Sequence, residues 1–207
     1  MEQVALEQLV IDARALQRPG SRAVLGIAGA PGAGKSTLAD ALVAALGSDA
    51  ILVGLDGFHL ADDELTRLGR QQRKGAADTF DAAGYVHLLR RLRARDEAVV
   101  YAPRFDRSLE ESIGSAVPVP ASVPLVVTEG NYLLVDDGDW APVRQLLDQC
   151  WYVEPSEEVR LGWLVARHER YGRNADEAHQ RSYGPDQRNA ERIALTRDRA
   201  DRVIRLV

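Results

Sequence analysis

The chain has one cysteine, Cys150, and only two lysines among its 26 basic residues, and neither any run of apolar residues nor any excess of positive charge stands out. Each scarcity excludes something. A lone cysteine forms no internal disulfide, and Cys150 sits in a short apolar stretch, so it reads as a packing residue of a reducing compartment rather than a nucleophile. No apolar segment approaches the roughly 20 residues that span a bilayer. The N-terminus lacks a basic region followed by an apolar one, so the expected location is the cytoplasm, without membrane insertion. A net charge of −5 and a pI near 5.4 argue against a nucleic-acid binder that works through a broad basic face. Where arginine is used almost everywhere, the two lysines, Lys35 and Lys74, mark positions that suit a compact ammonium. The remaining composition, 45% hydrophobic and 28% charged over 207 residues, is that of one globular domain, 1–207, without repeats.

The most informative stretch is Gly29, Ala30, Pro31, Gly32, Ala33, Gly34, Lys35, Ser36 and Thr37. It fits G-x-x-x-x-G-K-[ST], follows the apolar run Ala23 to Ala28 and precedes the helical spacing of Leu38, Leu42 and Leu46. A chance glycine-rich turn would have to coincide with the strand, the helix and the Lys-Ser pair at once. Loop amides and the helix N-terminus point at an anion, Lys35 adds a point charge toward the β- and γ-phosphates, and the Ser36 hydroxyl suits Mg²⁺. A dinucleotide G-x-G-x-x-G is excluded, because Thr37 stands where a third glycine is needed. The expected ligand is a nucleoside triphosphate.

Along the chain, residues 2 to 17 carry near-helical apolar spacing that Pro19-Gly20 ends. Ala50 to Leu55 reads as a second strand, delivering Asp56-Gly57-Phe58-His59. From about 60 to 81 charges and glycines accumulate, which predicts a mobile or substrate-covering segment. Asp81 to Arg95 is a predicted helix with Tyr85, Leu88, Leu89 and Leu92 inward. A short strand from Ala98 to Tyr101 follows, and Gly114 to Pro124, with three prolines, reads as loop. Val123 to Thr128 is a buried strand delivering Glu129, Trp140 to Leu147 a short helix, and Cys150 to Val153 a strand. Ser156 is a candidate N-cap for a helix to about Tyr171. Ala175 to Arg199 is helical with a break near Gly184-Pro185, and residues 202 to 207 form a last strand. Alternating strands and helices predict an α/β fold with a mostly parallel sheet covered on both faces. Leu6 and Trp140 are apolar candidates for a homodimer contact, and ordinary packing accounts for them equally well.

Two strand ends carry acids, Asp56 and Glu129. Phosphoryl transfer to an alcohol needs a metal held beside the phosphates and a carboxylate to take the hydroxyl proton, and from the residues alone either acid suits either task. With these segments, Arg73-Lys74-Gly75, Thr79-Phe80-Asp81, Tyr101-Ala102-Pro103-Arg104-Phe105-Asp106-Arg107 and Glu129-Gly130-Asn131-Tyr132, the chain resembles the P-loop kinases of the uridine kinase, phosphoribulokinase and bacterial pantothenate kinase superfamily. It looks most like a bacterial fructose-transport-system kinase or fructokinase-like branch. It departs from uridine kinases in reading Gly57-Phe58-His59 where serine-aromatic-tyrosine is usual, and from pantothenate kinases in lacking their long extensions.

The resemblance implies a three-layer α/β/α P-loop NTPase fold with a small helical lid over roughly 160–185, and ATP with Mg²⁺ as cofactors; no guanine-reading Asn-Lys-x-Asp is present. It implies that Asp56 takes the acceptor's proton, that Ser36 and Glu129 hold the metal, and that Lys35 binds phosphate. Asp56, His59, Arg73, Lys74, Arg104, Glu129 and Tyr132 fall where relatives line the acceptor pocket, and Asn189 falls near the adenine. Arg160, Arg167 and Arg170 share one helical face, and Arg167 and Arg170 would clamp the transferring phosphoryl group. The implied activity is transfer of the ATP γ-phosphate to a hydroxyl of a small polar metabolite, a sugar being favoured over pantothenate or a nucleoside. A nucleotide-switched ATPase acting on a protein partner is the more remote alternative.

Overall fold

A computed structural model describes residues 2–206. Six strands form one sheet in the order β1-β8-β7-β2-β6-β3, every neighbouring pair parallel: β1 (Glu2–Val4), β2 (Ala23–Ala28), β3 (Ala50–Leu52), β6 (Leu125–Gly130), β7 (Gln149–Val153) and β8 (Arg202–Leu206). The central strands β2 and β6 are buried along their whole length, as a parallel sheet covered on both faces requires. Side chains alternate between two cores. Leu25, Ile27 and Val127 face one core with α1 (Leu6–Arg14) and α2 (Lys35–Leu46), while Val24, Ala28 and Val126 face the other with α4 (Ala82–Ala94). The layers are therefore α/β/α.

β4 (Val99–Asp106) and β5 (Glu111–Pro120) form a separate antiparallel hairpin. Beyond β3, α3 (Asp62–Arg67) lies in the charged segment, and beyond β7 come α5 (Glu157–Arg170), α6 (Ala175–Tyr183) and α7 (Pro185–Ala194). Ser156 caps α5 as expected, its hydroxyl accepting from the Val159 amide.

Several expectations are corrected. The leading segment is not all helix: Glu2–Val4 pairs with β8, and only Leu9 and Ala13 carry the buried helical stripe. Gly114 to Pro124 is mostly strand, with Pro118 opposite Tyr101 and Pro120 opposite Val99; a two-stranded ribbon consists of edges, where proline's missing donor is tolerated. Trp140 to Leu147 forms only 3₁₀ turns. The 60–81 segment is not uniformly loose, because Leu65, Ala77, Thr79 and Phe80 are buried. Trp140 is 5% exposed and packs on Phe80 and Tyr132, whereas Leu6, the first residue of α1, is half-buried against the core. Position 207 of the last strand lies outside the described residues.

Candidate active site

Three chain segments converge at the C-terminal ends of β2, β3 and β6, where open parallel sheets place ligands. The loop after β2 wraps back on itself, and Lys35, 8% exposed, donates to the Ala30 carbonyl at 2.9 Å and to Asn131 Oδ1 at 2.7 Å. Burial lowers the Lys35 ammonium to about 8, with Glu129 working in the opposite direction. Asn131, one residue past β6, is thus the group that aims the lysine. Its only sequence signal is its place next to Glu129-Gly130.

Asp56 sits on a 3₁₀ turn, Leu55–Phe58, beyond β3. Its carboxylate accepts from Arg107 Nη2 at 2.8 Å. Burial works to raise its pKa, but His59, Arg107 and Lys35 outweigh that and hold it below the ordinary carboxylate value. Glu129, at the end of β6 and 8% exposed, behaves oppositely: burial first, and then the charge of Asp56, push it up to about 7. The two acids are electrostatically distinct. One is ionised throughout the neutral range, and the other titrates within it.

His59 lies between the rings of Phe80 and Phe105, with centroids 4.0 and 4.9 Å away, and its Nδ1–H donates to the Asp56 carbonyl at 2.9 Å. Burial lowers its pKa, against the pull of the Asp56 charge and carbonyl. The glycine after Asp56 has a packing reason. A Cβ at Gly57 would come within 2.6 Å of the Pro103 carbonyl, so the hairpin backbone can close on this turn only over glycine.

Two cavities meet here. The first, about 650 Å³, is lined by Gly32 to Thr37, Trp163, Arg167 and Arg170. The second, about 380 Å³, is lined by Asp56, His59, Lys74, Glu129 and Asn189, with Asp62, Gln71, Arg173 and Arg181. Lys35, Ser36, Arg107, Arg167 and Tyr171 line both.

Arg104, Arg73 and Tyr132 do not line these cavities. Arg104 is exposed, because Phe105 turns toward His59 and strand alternation sends its neighbour to the opposite face. Arg73 is exposed and pairs with Asp78 at 2.6 Å. Tyr132 is fully buried and donates to the Gly75 carbonyl, holding the Lys74 segment from below. Asn189 lines the second cavity rather than the first, so it does not stand beside an adenine site built on the loop. Arg160 is 3% exposed and donates to the Pro31 carbonyl at 2.9 Å and to Glu157, bracing the loop instead of joining Arg167 and Arg170. Gly29 and Ala30 form the turn behind Lys35. Several residues that line the cavities were not sequence-derived site candidates, among them Arg107, Asn131, Trp163 and His168, whose Nε2 bonds Asp186 at 2.7 Å while Nδ1 accepts from Arg173 at 2.8 Å.

Residues 24–205 match the profile of the Phosphoribulokinase / Uridine kinase family. The chain belongs to that family. A crystal structure from Silicibacter sp. TM1040, described as a "putative fructose transport system kinase", superposes with a TM-score of 0.87 at 34% identity, covering 97% of this chain and 98% of that one. A Schizosaccharomyces pombe protein named as a putative uridine kinase is 31% identical over 156 residues, 71% of this chain and 66% of its own length. The pantothenate kinase of Shewanella piezotolerans is 29% identical over 155 residues, 70% of this chain and 49% of its own length. The chain thus spans about half of that pantothenate kinase and just under two thirds of the S. pombe protein. As a member of the phosphoribulokinase/uridine kinase family with an intact P-loop, this protein is an ATP-dependent kinase. Among the described residues no helix is long and apolar enough to cross a membrane.

Proposed function

We propose that the protein transfers the γ-phosphoryl group of Mg-ATP to a hydroxyl of a small polar metabolite, a sugar being the favoured class. The observation that carries this is the meeting of the two cavities at Lys35, Ser36, Arg107 and Arg167, with Asp56 on the floor of the second. A donor held on the loop and an acceptor in the second cavity would meet at those four side chains. Lys74, Asp62, Gln71 and Asn189 give the acceptor cavity polar walls suited to several hydroxyls. The Silicibacter relative, similar along nearly the whole chain, supports a sugar. Relatives named for uridine and pantothenate keep those acceptors as the alternatives.

In this reading Lys35 and the loop amides hold the β- and γ-phosphates. Asp56, ionised and within the acceptor cavity, receives the hydroxyl proton as the acceptor oxygen bonds phosphorus and the bond to the ADP oxygen breaks. Arg167 and Arg170 face the charge that spreads over the phosphoryl oxygens. The residues fit Mg²⁺. Ser36 and Glu129 supply hard oxygen donors, and among the described residues no group of three or more His, Cys, Asp or Glu forms an all-protein cage. That donor set suits an ion which keeps waters and phosphate oxygens in its shell. When held by Ser36 and Glu129, Mg²⁺ would supply positive charge to offset that of the phosphates. Helices α5 and α6 act as the lid and the 60–81 segment as the acceptor cover, together keeping water from the γ-phosphate.

The test is ADP release from Mg-ATP across a panel of sugars, nucleosides and pantothenate, with detection of the phosphorylated product. One acceptor should raise turnover well above the acceptor-free rate. Asp56→Asn should bind ATP nearly normally and lower that turnover about 10²-fold or more. Turnover close to wild type in this variant removes Asp56 from the proton-accepting role.

A further inference from the structure

Of the chain's three tryptophans, Trp140 and Trp151 are packed inside, 5% and 0% exposed, whereas Trp163 on α5 is 54% exposed. Core packing does not account for an indole left open. The helix already buries Arg160, Leu164 and His168 on its inner face. What Trp163 does border is the first cavity. It lies over the Gly34 turn of the phosphate loop, where an added Cβ would be 3.4 Å from indole atom Cζ3.

The cavity is chemically divided. Lys35, Ser36 and Arg167 belong also to the second cavity and so mark the end where phosphate transfers, whereas Trp163, Val153 and Pro155 line the first cavity without lining the second. A nucleotide whose phosphates sit on the loop must extend its base away from Asp56, into the part of the cavity that the acceptor does not share. There the broad flat surface available is the indole face. Trp163 and Arg167 are four residues apart, about 6 Å along the helix axis, so α5 presents an apolar plane and a charge from neighbouring positions of one face.

We propose that Trp163 is the stacking platform for the donor's nucleobase and supplies the affinity that distinguishes ATP from a bare triphosphate. The proposal rests on the reading of the first cavity as the donor site. It takes over the role that the sequence assigned to Asn189, which lines the other cavity.

Two probes separate the base from the phosphates: ATP and inorganic tripolyphosphate, each titrated into wild type, Trp163→Ala and Trp163→Phe, with heat of binding and tryptophan fluorescence as readouts. Because the other two indoles are buried, ATP should change the emission of Trp163, and tripolyphosphate should compete with ATP without that change. Trp163→Ala should weaken ATP about 10-fold or more, the range for base–aromatic stacking, leave tripolyphosphate binding unaltered, and be largely rescued in Trp163→Phe. Unchanged ATP affinity in Trp163→Ala, with tripolyphosphate still competing, overturns the proposal while the kinase reading stands. An equal loss for both probes also overturns it, showing that the indole merely shapes the Gly34 turn. Failure of wild type to bind either probe overturns the proposal and the donor-site reading together.

Discussion

The two acids of the site illustrate how neighbours, rather than residue type, assign roles. Asp56 has Arg107 at 2.8 Å and stays ionised, whereas Glu129 is enclosed beside another carboxylate and its proton is held up to about 7. Relative to the ordinary value of 4.5, the folded chain keeps the Glu129 proton after the unfolded chain has lost it. The carboxyl's contribution to stability therefore declines as pH rises from about 4.5 to 7 and stays low above that. Glu129→Gln should consequently raise stability at pH 8 in EDTA and lose that advantage near pH 5. The shift, which already contains the attraction of Lys35, is worth at most about 3 kcal/mol. That corresponds to an upper bound of roughly 6–12 °C in Tm for a chain of this size. Thermal melts at the two pH values check it, and an equal difference at both would count against a raised Glu129. In the proposed reaction the variant should also lose most of its Mg²⁺-dependent turnover, so stability and activity move in opposite directions.

At the scale of the element, helix α5 carries arginines with separable tasks although the sequence presents them as one face. Arg160, 3% exposed, donates to Pro31 and Glu157 and its truncation strips the loop's carbonyl of a charged donor. Arg160→Ala should cost about 2–3 kcal/mol, the scale for hydrogen bonds to charged groups, and lower Tm by several degrees along with ATP affinity. Arg170→Ala, at an exposed position on the cavity rim, should leave Tm within about 1 °C and lower kcat. Melting curves beside kcat and KM separate the two, and a matched fall in Tm for both would return them to a single role. This division was not legible from helical spacing, because 3.6-residue periodicity fixes direction around the axis but not what waits there; the loop's Pro31 carbonyl is 129 positions away in sequence. Strands β2, β3, β6, β7 and β8, the Ser156 cap and helices α2 and α4 were legible because apolar period or a capping residue marks them locally. The β5 strand was not, since its prolines signal loop until the pairing with β4 shows that every residue lies on an edge.

At the scale of the whole molecule, motif order announced the P-loop and both acids, but not how helices α6 and α7 and the 71–75 stretch grip one another. The grip is made of backbone carbonyls, which carry no sequence signature. Arg181 on α6 donates to the carbonyls of Gln72 and Lys74, Asn189 on α7 and Tyr132 both reach the Gly75 carbonyl, and Lys74 in turn meets Asp62 at 2.6 Å. Helices α6 and α7 and the 71–75 stretch are therefore tied at several points among residues that line the second cavity. If those ties exclude water during transfer, weakening one should uncouple ATP consumption from product formation before it slows chemistry. Arg181→Ala should raise the ratio of ADP formed to phosphorylated acceptor several-fold, increase KM for the acceptor, and change KM for ATP little, because the P-loop is untouched. The ratio is measured by quantifying both products from one reaction. A ratio unchanged from wild type, with the acceptor KM also unchanged, would mean that the carbonyl ties merely pack the two segments together and that water is excluded by the hairpin and Tyr171 instead.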